Sequence, residues 1–342
     1  MTTPTEIPVP PPEPVAPTRW EAFRTAFHER RKVYTSALIY KSLRLLTRAL
    51  SALPLAKALS LGRALGTLAY LVARRHRPVV LAEMARCFPG DSREEVKDHL
   101  HRVFKHMGMN AVEVFRWVGG CSEEMNQNIS VVGAEHMKTA LARGRGALVL
   151  TAHTGNWDLM GLWCARRFPL TIISKALREP GINRFWMEAR AASGLQIVPA
   201  RKSYRACLSV LKKQGLLGFV LDQNTKTQEG VFVDFFGKPA CTTPGLAFLA
   251  AHAQAPVVPV FMFRQLNGQH KVHVMPLIEP PATRDEEAIT RATQQYTRII
   301  EDVVRRHPDQ WIWMHRRWRS VPQEKVEQQP TASGPIQAEE LA

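Results

Sequence analysis

His153 and Asp158 stand five residues apart in the stretch "LVLTAHTGNWDLMG" at 148–161. An imidazole and a carboxylate on a small polar turn, directly after an apolar run, are the parts of a general base. A carboxylate on one ring nitrogen fixes the tautomer and leaves the other nitrogen free to take a proton from a hydroxyl. No serine or cysteine stands beside them as a nucleophile. The chemistry they suit is direct attack of a substrate hydroxyl on an activated acyl carbonyl, with the oxyanion held by backbone N–H groups or a cation. The residues alone leave two other readings open. His153 could satisfy loop backbone while Asp158 caps a helix, or the two could bind a metal, although no third ligand stands at a suitable spacing.

Something must place these side chains. The apolar run reads as a strand and the residues from Asn156 as a helix, so His153 falls at a strand's carboxyl end, where ligands bind in open α/β sheets. Asp158 would lie about one turn into that helix. Further β-like runs appear at 146–151, 170–174, 195–199, 216–221, 257–263 and 271–276, with helical spacing at 135–143, 156–167, 181–193 and 203–214. Asn267-Gly268 predicts a hairpin between the last two strands. A helix over 92–107, with Ser92 as its cap, precedes them, and a long helix over 284–306 follows, leading to "QWIWMHRRWRS". The alternation predicts an α/β fold: a mixed, mostly parallel sheet flanked by helices.

The chain of 342 residues carries 46 Lys and Arg against 30 Asp and Glu, a net charge of +16 that calls for an anionic partner. Its arginines sit in no zinc-finger, helix-turn-helix or RNP context, which argues against nucleic acid. Five scattered cysteines with no C-x-x-C pair argue against a disulfide framework and a zinc ribbon. Residues 1–18 are proline-rich, without the apolar core of a signal peptide, and read as a disordered lead; residues 321–342 read as a disordered tail. Between them, 19–80 is assigned to membrane-associated helices and 81–320 to the main domain. Over 36–53, Lys41, Arg44 and Arg48 form a narrow basic stripe opposite Leu38, Ile39, Leu43, Leu45, Leu46, Leu50 and Leu53, and Trp20, Phe23 and Phe27 are interleaved with arginines. That pattern suits helices lying in a membrane interface. A bundle packed on the main domain, or one tilted spanning helix within 50–73, stays open.

Three ordered blocks then carry a resemblance: "HTGNWD", "LDQNTKTQEGVFVDFFGKPACTTPGLAFLAAHAQAPVVPVFMFR" and "QWIWMHRRWRS". Together they resemble the lipid A biosynthesis acyltransferases, within the glycerolipid acyltransferase superfamily that shares H-x4-D/E. The likeness covers about 38–320, and "ARCFP" at 85–89 departs from the family's N-L-x-x-x-F-P-like segment in its first residues. The resemblance implies a glycerolipid acyltransferase-like fold, His153 as general base and Asp158 as its partner. It places Arg178 against phosphate or developing charge, and Asp222 in the cleft, orienting Arg178 or a sugar hydroxyl. Lys238 and Arg316, with Arg317 and Arg319, become anion contacts, the three arginines otherwise solvating the end of the chain, and Phe232, Phe235 and Phe236 become the lining of an acyl tunnel or, equally, plain core. It implies no cofactor and no metal. The implied donor is an acyl group on acyl carrier protein, and the implied acceptor an anionic lipid A precursor at the cytoplasmic face of a bacterial inner membrane. An E-G-T-R-like block, typical of the lysophosphatidate branch, does not follow "HTGNWD". Another membrane glycolipid or a lysophospholipid as acceptor, and a non-catalytic membrane-binding scaffold, are the alternatives.

Overall fold

In the computed structural model, which describes residues 19–75 and 77–322, every β-like run named above is a strand. Two long helices come first, α1 (Arg19–Ala52) and α2 (Leu55–Val72), followed by α3 (Arg77–Cys87) and α4 (Arg93–Arg116). Ser92 starts α4 with a full capping box: its hydroxyl accepts from the Glu95 amide while the Glu95 carboxylate accepts from the Ser92 amide. After α4 a kink at Gly120, with φ of 103°, leads into the short α5 (Ser122–Gln127).

The alternation then runs β1 (Ile129–Val132), α6 (Ala134–Ala142), β2 (Ala147–Thr151), α7 (Trp157–Ala165), β3 (Leu170–Ser174), α8 (Pro180–Ala192), β4 (Gln196–Pro199), α9 (Tyr204–Lys212) and β5 (Leu216–Val220). A separate two-stranded hairpin follows, β6 (Val231–Phe235) and β7 (Lys238–Thr242), then α10 (Gly245–Ala253), β8 (Val257–Arg264), β9 (His270–Val274) and α11 (Glu286–Arg306). Among the described residues the main sheet has seven strands in the order β1-β9-β8-β2-β5-β3-β4. All its pairings are parallel except β8 with β9, the hairpin that Asn267-Gly268 turns. The fold is therefore the expected mixed, mostly parallel α/β sheet between helices.

β2 is the central strand and is buried along its whole length. Leu148 and Leu150 point into a core with α9, α10 and α11, while Ala147 and Val149 point into a second core with α6 and α7. Residues 239–263, free of Lys, Arg, Asp and Glu and interrupted by prolines, form most of β7, then α10 and nearly all of β8.

α1 and α2 lie against the domain on one side only. Gly62 and Gly66 bring α2 into backbone contact with α4: a Cβ on Gly62 would come within 2.9 Å of the Gly108 carbonyl oxygen, and one on Gly66 within 2.2 Å of that of Phe104. On α1, Leu50 is buried and Ile39 and Leu43 half-buried; Tyr40 donates to Glu188 of α8 at 2.6 Å. The apolar face predicted for 36–53 is thus divided. Leu38, Leu45 and Leu46 stay 65%, 68% and 43% exposed, as do Leu61, Leu65 and Leu68 of α2 at 40%, 51% and 56%. α2 is the one described helix long and apolar enough to cross a membrane by length and composition. The predicted terminal disorder falls outside the described residues.

Candidate functional site

Thr151 ends β2, and the next residues have to turn sharply beneath α4 and β8. Gly155 makes that possible. It adopts φ of +53°, and a Cβ there would lie 1.7 Å from the Met262 carbonyl oxygen. Its N–H donates to the Gln310 carbonyl at 2.7 Å and its carbonyl accepts from the Asn110 side chain. The Ile312 amide in turn donates to the His153 carbonyl at 3.1 Å, so the turn is stitched to the tryptophan-rich segment. Asn156 caps α7 by accepting from the Leu159 amide at 3.1 Å, and its own amide donates to Glu113 at 2.7 Å. Glu113 is fully buried between Arg264 and His270. Gly155→Ala would need a left-handed φ costing about 1–2 kcal/mol before the clash is counted. Thermal unfolding should show a loss beyond that figure, and turnover of the remaining folded protein should fall because His153 is displaced.

The imidazole has its partner on the neighbouring strand. His153 Nδ1 lies 2.8 Å from Asp222 Oδ1, and the His153 backbone amide donates to Asp222 Oδ2 at 2.9 Å. Trp311 Nε1 donates to the same Oδ2 at 2.7 Å. Asp222, 4% exposed, thereby holds three hydrogen bonds. The sequence expectation of Asp158 as this partner is corrected. β2 and β5 are hydrogen-bonded neighbours, so their carboxyl ends lie one strand spacing apart. Asp158, in the first turn of α7, is held near Arg190 instead, at 3.9 Å. Nor does Asp222 orient Arg178. Burial disfavours charge on His153, yet the charge and hydrogen bond of Asp222, with Asp158 behind, raise its pKa above the ordinary 6.5. Burial opposes ionisation of Asp222 too, but His153, Trp311 and the turn's amide keep its carboxyl below the ordinary range. Burial pushes Asp158 up against the pull of Arg190 and His153.

With Nδ1 committed, Nε2 of His153 is the free nitrogen, 3.3 Å from the Gln223 side-chain amide. It faces a cavity of about 830 Å³ whose walls come from both sides of the sheet: Met160, Leu170 and Leu195 from one, Cys207, Leu221 and Leu249 from the other. Arg190 also lines it, donating to Ser174 at 3.0 Å. Two thiols, Cys164 and Cys207, share the cavity; burial pushes the first up to about 12 and raises the second, so neither offers a thiolate. Among the described residues no three His, Cys, Asp or Glu side chains converge as metal ligands do.

Several expected contacts lie elsewhere. Arg178 and Arg316 are exposed and Lys238 half-buried on β7, and none of the three lines the cavity. Arg317 grips no substrate: it is 1% exposed, donating to the Cys241 carbonyl at 2.9 Å and to Thr242. The tunnel assignment of Phe232, Phe235 and Phe236 is also corrected, since none lines the cavity. Phe235 and Phe236 belong to a core cluster with Phe88, Trp311, Trp313 and Trp318, because the β6–β7 hairpin packs against α11 and the C-terminal tryptophans rather than over the cleft. Sequence reasoning missed Arg190, Gln223 and Trp311. Gln223 follows directly after Asp222, and Trp311 opens the quoted tryptophan block, whereas Arg190 is one arginine among many on a helix.

Residues 25–320 match the model of the bacterial lipid A biosynthesis acyltransferases. The lipid A biosynthesis lauroyltransferase of Escherichia coli is 26% identical over 277 residues, covering 77% of this chain and 85% of the relative. A phosphatidylinositol mannoside acyltransferase of Mycolicibacterium smegmatis is 27% identical over 210 residues, covering 60% and 67%. Among solved structures, the 1-acyl-sn-glycerophosphate acyltransferase of Thermotoga maritima covers 71% of this chain and 97% of its own, at 16% identity and a TM-score of 0.34.

Proposed function

The chain belongs to the bacterial lipid A biosynthesis acyltransferase family and is an acyltransferase of lipid A or glycolipid synthesis; from that premise we propose that it moves a fatty acyl chain from acyl carrier protein to a lipid A precursor. The acceptor is the hydroxyl of a 3-hydroxyacyl chain already on the precursor, and His153 is the general base. The observation that carries this reading is a histidine with Nδ1 bound to a buried carboxylate and Nε2 open to a large apolar cavity. In the step itself the acceptor oxygen attacks the thioester carbonyl as its proton passes to Nε2. The tetrahedral oxyanion collapses, the C–S bond breaks, and the imidazolium returns the proton to the departing thiolate. Asp222 holds the tautomer and stabilises the imidazolium. Arg190 and Lys175 both line the cavity, and of the two Arg190, seated near Asp158, is the cation proposed to meet the oxyanion.

The net charge of +16 fits both an acidic carrier protein and a phosphorylated acceptor. The outward leucines of α1 and α2, beside the exposed Lys41, Arg44 and Arg48, suit helices lying in the interface of a bacterial inner membrane on its cytoplasmic side. A mannosylated phosphoinositide acceptor is the second reading, favoured by the likeness to the mycolicibacterial enzyme.

The test is an assay of full-length protein in micelles with acyl-carrier-protein thioesters of several lengths. A phosphorylated glucosamine-disaccharide precursor bearing 3-hydroxyacyl chains is offered beside mannosylated phosphoinositide and lysophosphatidate. Transfer to the precursor is the expected result. Transfer only to another acceptor would keep the base and overturn the substrate, and no transfer at all from folded protein would favour a scaffold.

A further inference from the structure

A second cavity of about 250 Å³ lies behind the first, enclosed by α1, α4 and α8. Leu43, Ala111, Phe115, Ile182 and Phe185 wall it, and Trp157, Asp158 and Trp186 line both cavities. The partition between them thus contains one ionisable group, Asp158, and is placed next to His153, whose ring meets that of Trp157 edge-on at 5.3 Å. Of the smaller cavity's other polar side chains the two asparagines are already engaged, while the indole N–H groups of Trp157 and Trp186 make no hydrogen bond among the described residues. Asn110 donates to Gly155 and accepts from Arg264, and Asn156 donates to Glu113 and accepts from the Leu159 amide. What remains on offer is largely apolar wall, with two indole edges and a single carboxylate toward the larger cavity. Such a site selects an aliphatic segment over a sugar or phosphate.

We propose that this smaller cavity seats the aliphatic part of the acceptor's hydroxyl-bearing chain, with Asp158 and Trp157 steering its hydroxyl toward His153 Nε2; the assignment rests on the proposed acyl transfer to a 3-hydroxyacyl chain. Direct transfer without a covalent intermediate needs donor and acceptor at the base together, so two apolar chains need two seats. The larger cavity has room for the donor chain. The smaller one holds about eight water-sized groups, enough for a chain segment and too little for a full second chain of the donor's size. Its position favours the acceptor, too. Leu43 belongs to α1, whose Leu38, Leu45 and Leu46 are exposed, so a chain entering from a lipid surface crosses apolar side chains on its way to the rim. Asp158, a third open, takes on the positioning role that the Asp222 bond to His153 leaves vacant.

Ala111 is exposed at the rim, where a larger side chain can block entry without disturbing the core. Full-length Ala111→Trp in micelles, with a thermal unfolding profile like that of the parent, should raise KM for the hydroxyacyl-bearing precursor tenfold or more. KM for the acyl-carrier-protein thioester should not change. A precursor whose hydroxyl-bearing chain is cut back to a few carbons should react equally with both proteins, because it no longer needs the seat. Unchanged KM for the full-length acceptor, or equal losses for donor and both acceptors, would overturn the assignment. A parent protein that acylates no hydroxyacyl-bearing acceptor would overturn it along with the functional reading, and is recognised by the inactivity of the parent itself.

Discussion

Replacing His153 by alanine is expected to lower kcat by about 10²–10⁴-fold while leaving donor binding close to that of the parent, with some loss of melting temperature because the buried Asp222 carboxylate loses its imidazole partner. The histidine is only half-buried, so its removal leaves no large cavity. Asp222→Asn should be about as damaging, for a geometric reason. Oδ2 of Asp222 accepts two N–H groups, from the His153 backbone and from Trp311. An asparagine must keep its oxygen there and turn its NH₂ toward Nδ1, which then has to accept, moving the proton to Nε2 and removing the base. The pH profile separates this from a structural loss. In the parent the base is neutral only above its raised pKa, so the acid limb of kcat/KM should lie above pH 6.5. Loss of the Asp222 charge lowers that pKa, and the limb of the residual activity should move to lower pH. Asp158→Asn should shift the limb the same way but less, since Asp158 acts on the imidazole by charge alone. A limb that stays in place in Asp222→Asn would remove Asp222 from the base.

Glu113→Ala is expected to cost about 3–5 kcal/mol of stability, measured by denaturant unfolding. Arg264 would be left buried with no counter-charge and His270 buried without its hydrogen-bond partner, at 8% and 2% exposure, and Asn156 would lose the acceptor that positions the start of α7. Although burial opposes its charge, Arg264 and His270 hold the Glu113 carboxyl far below the ordinary carboxylate range. A depressed pKa of this kind supplies stability that is present above the ordinary value of 4.5 and is lost only as pH falls toward the folded-state value. The Glu113 contribution should therefore persist through mildly acid conditions. Replacing Glu113, Arg264 and His270 together by apolar residues of similar volume should recover most of the loss, because the penalty comes from the stranded Arg264 charge and the unpaired buried polar groups.

How far the sequence reveals this site depends on how local each contact is. His153, the strand that carries it and the hairpin at Asn267-Gly268 follow from patterns within a dozen residues, and the structure contains each of them. The partner of His153 does not. Asp222 is 69 positions away, brought close only because β5 lies beside β2, an adjacency that chain order does not specify. Asp158 was the local alternative, and the helix it sits on carries it toward Arg190 instead. β1 is four residues long and β6–β7 reads as an aromatic loop, so neither gives a clear period. Phe235 and Phe236 illustrate the same limit: aromatic side chains serve a core or a cavity equally well until their neighbours are known. Glu113 sits in a helix rich in charges, and nothing in its spacing marks it as the buried anchor of the turn.

The contact of Gly62 and Gly66 with α4 has a consequence for how the protein works at a surface. Two helices whose backbones touch cannot roll or slide over each other as helices separated by long side chains can. If α2 lies in the bilayer, as proposed, α4 holds the turn that carries His153 through Asn110 and Glu113 at one set height above the lipid. The enzyme then cannot dip toward its acceptor. Lipids must rise to a fixed level, and a few glycines far from the histidine determine how far a chain has to climb before it can react.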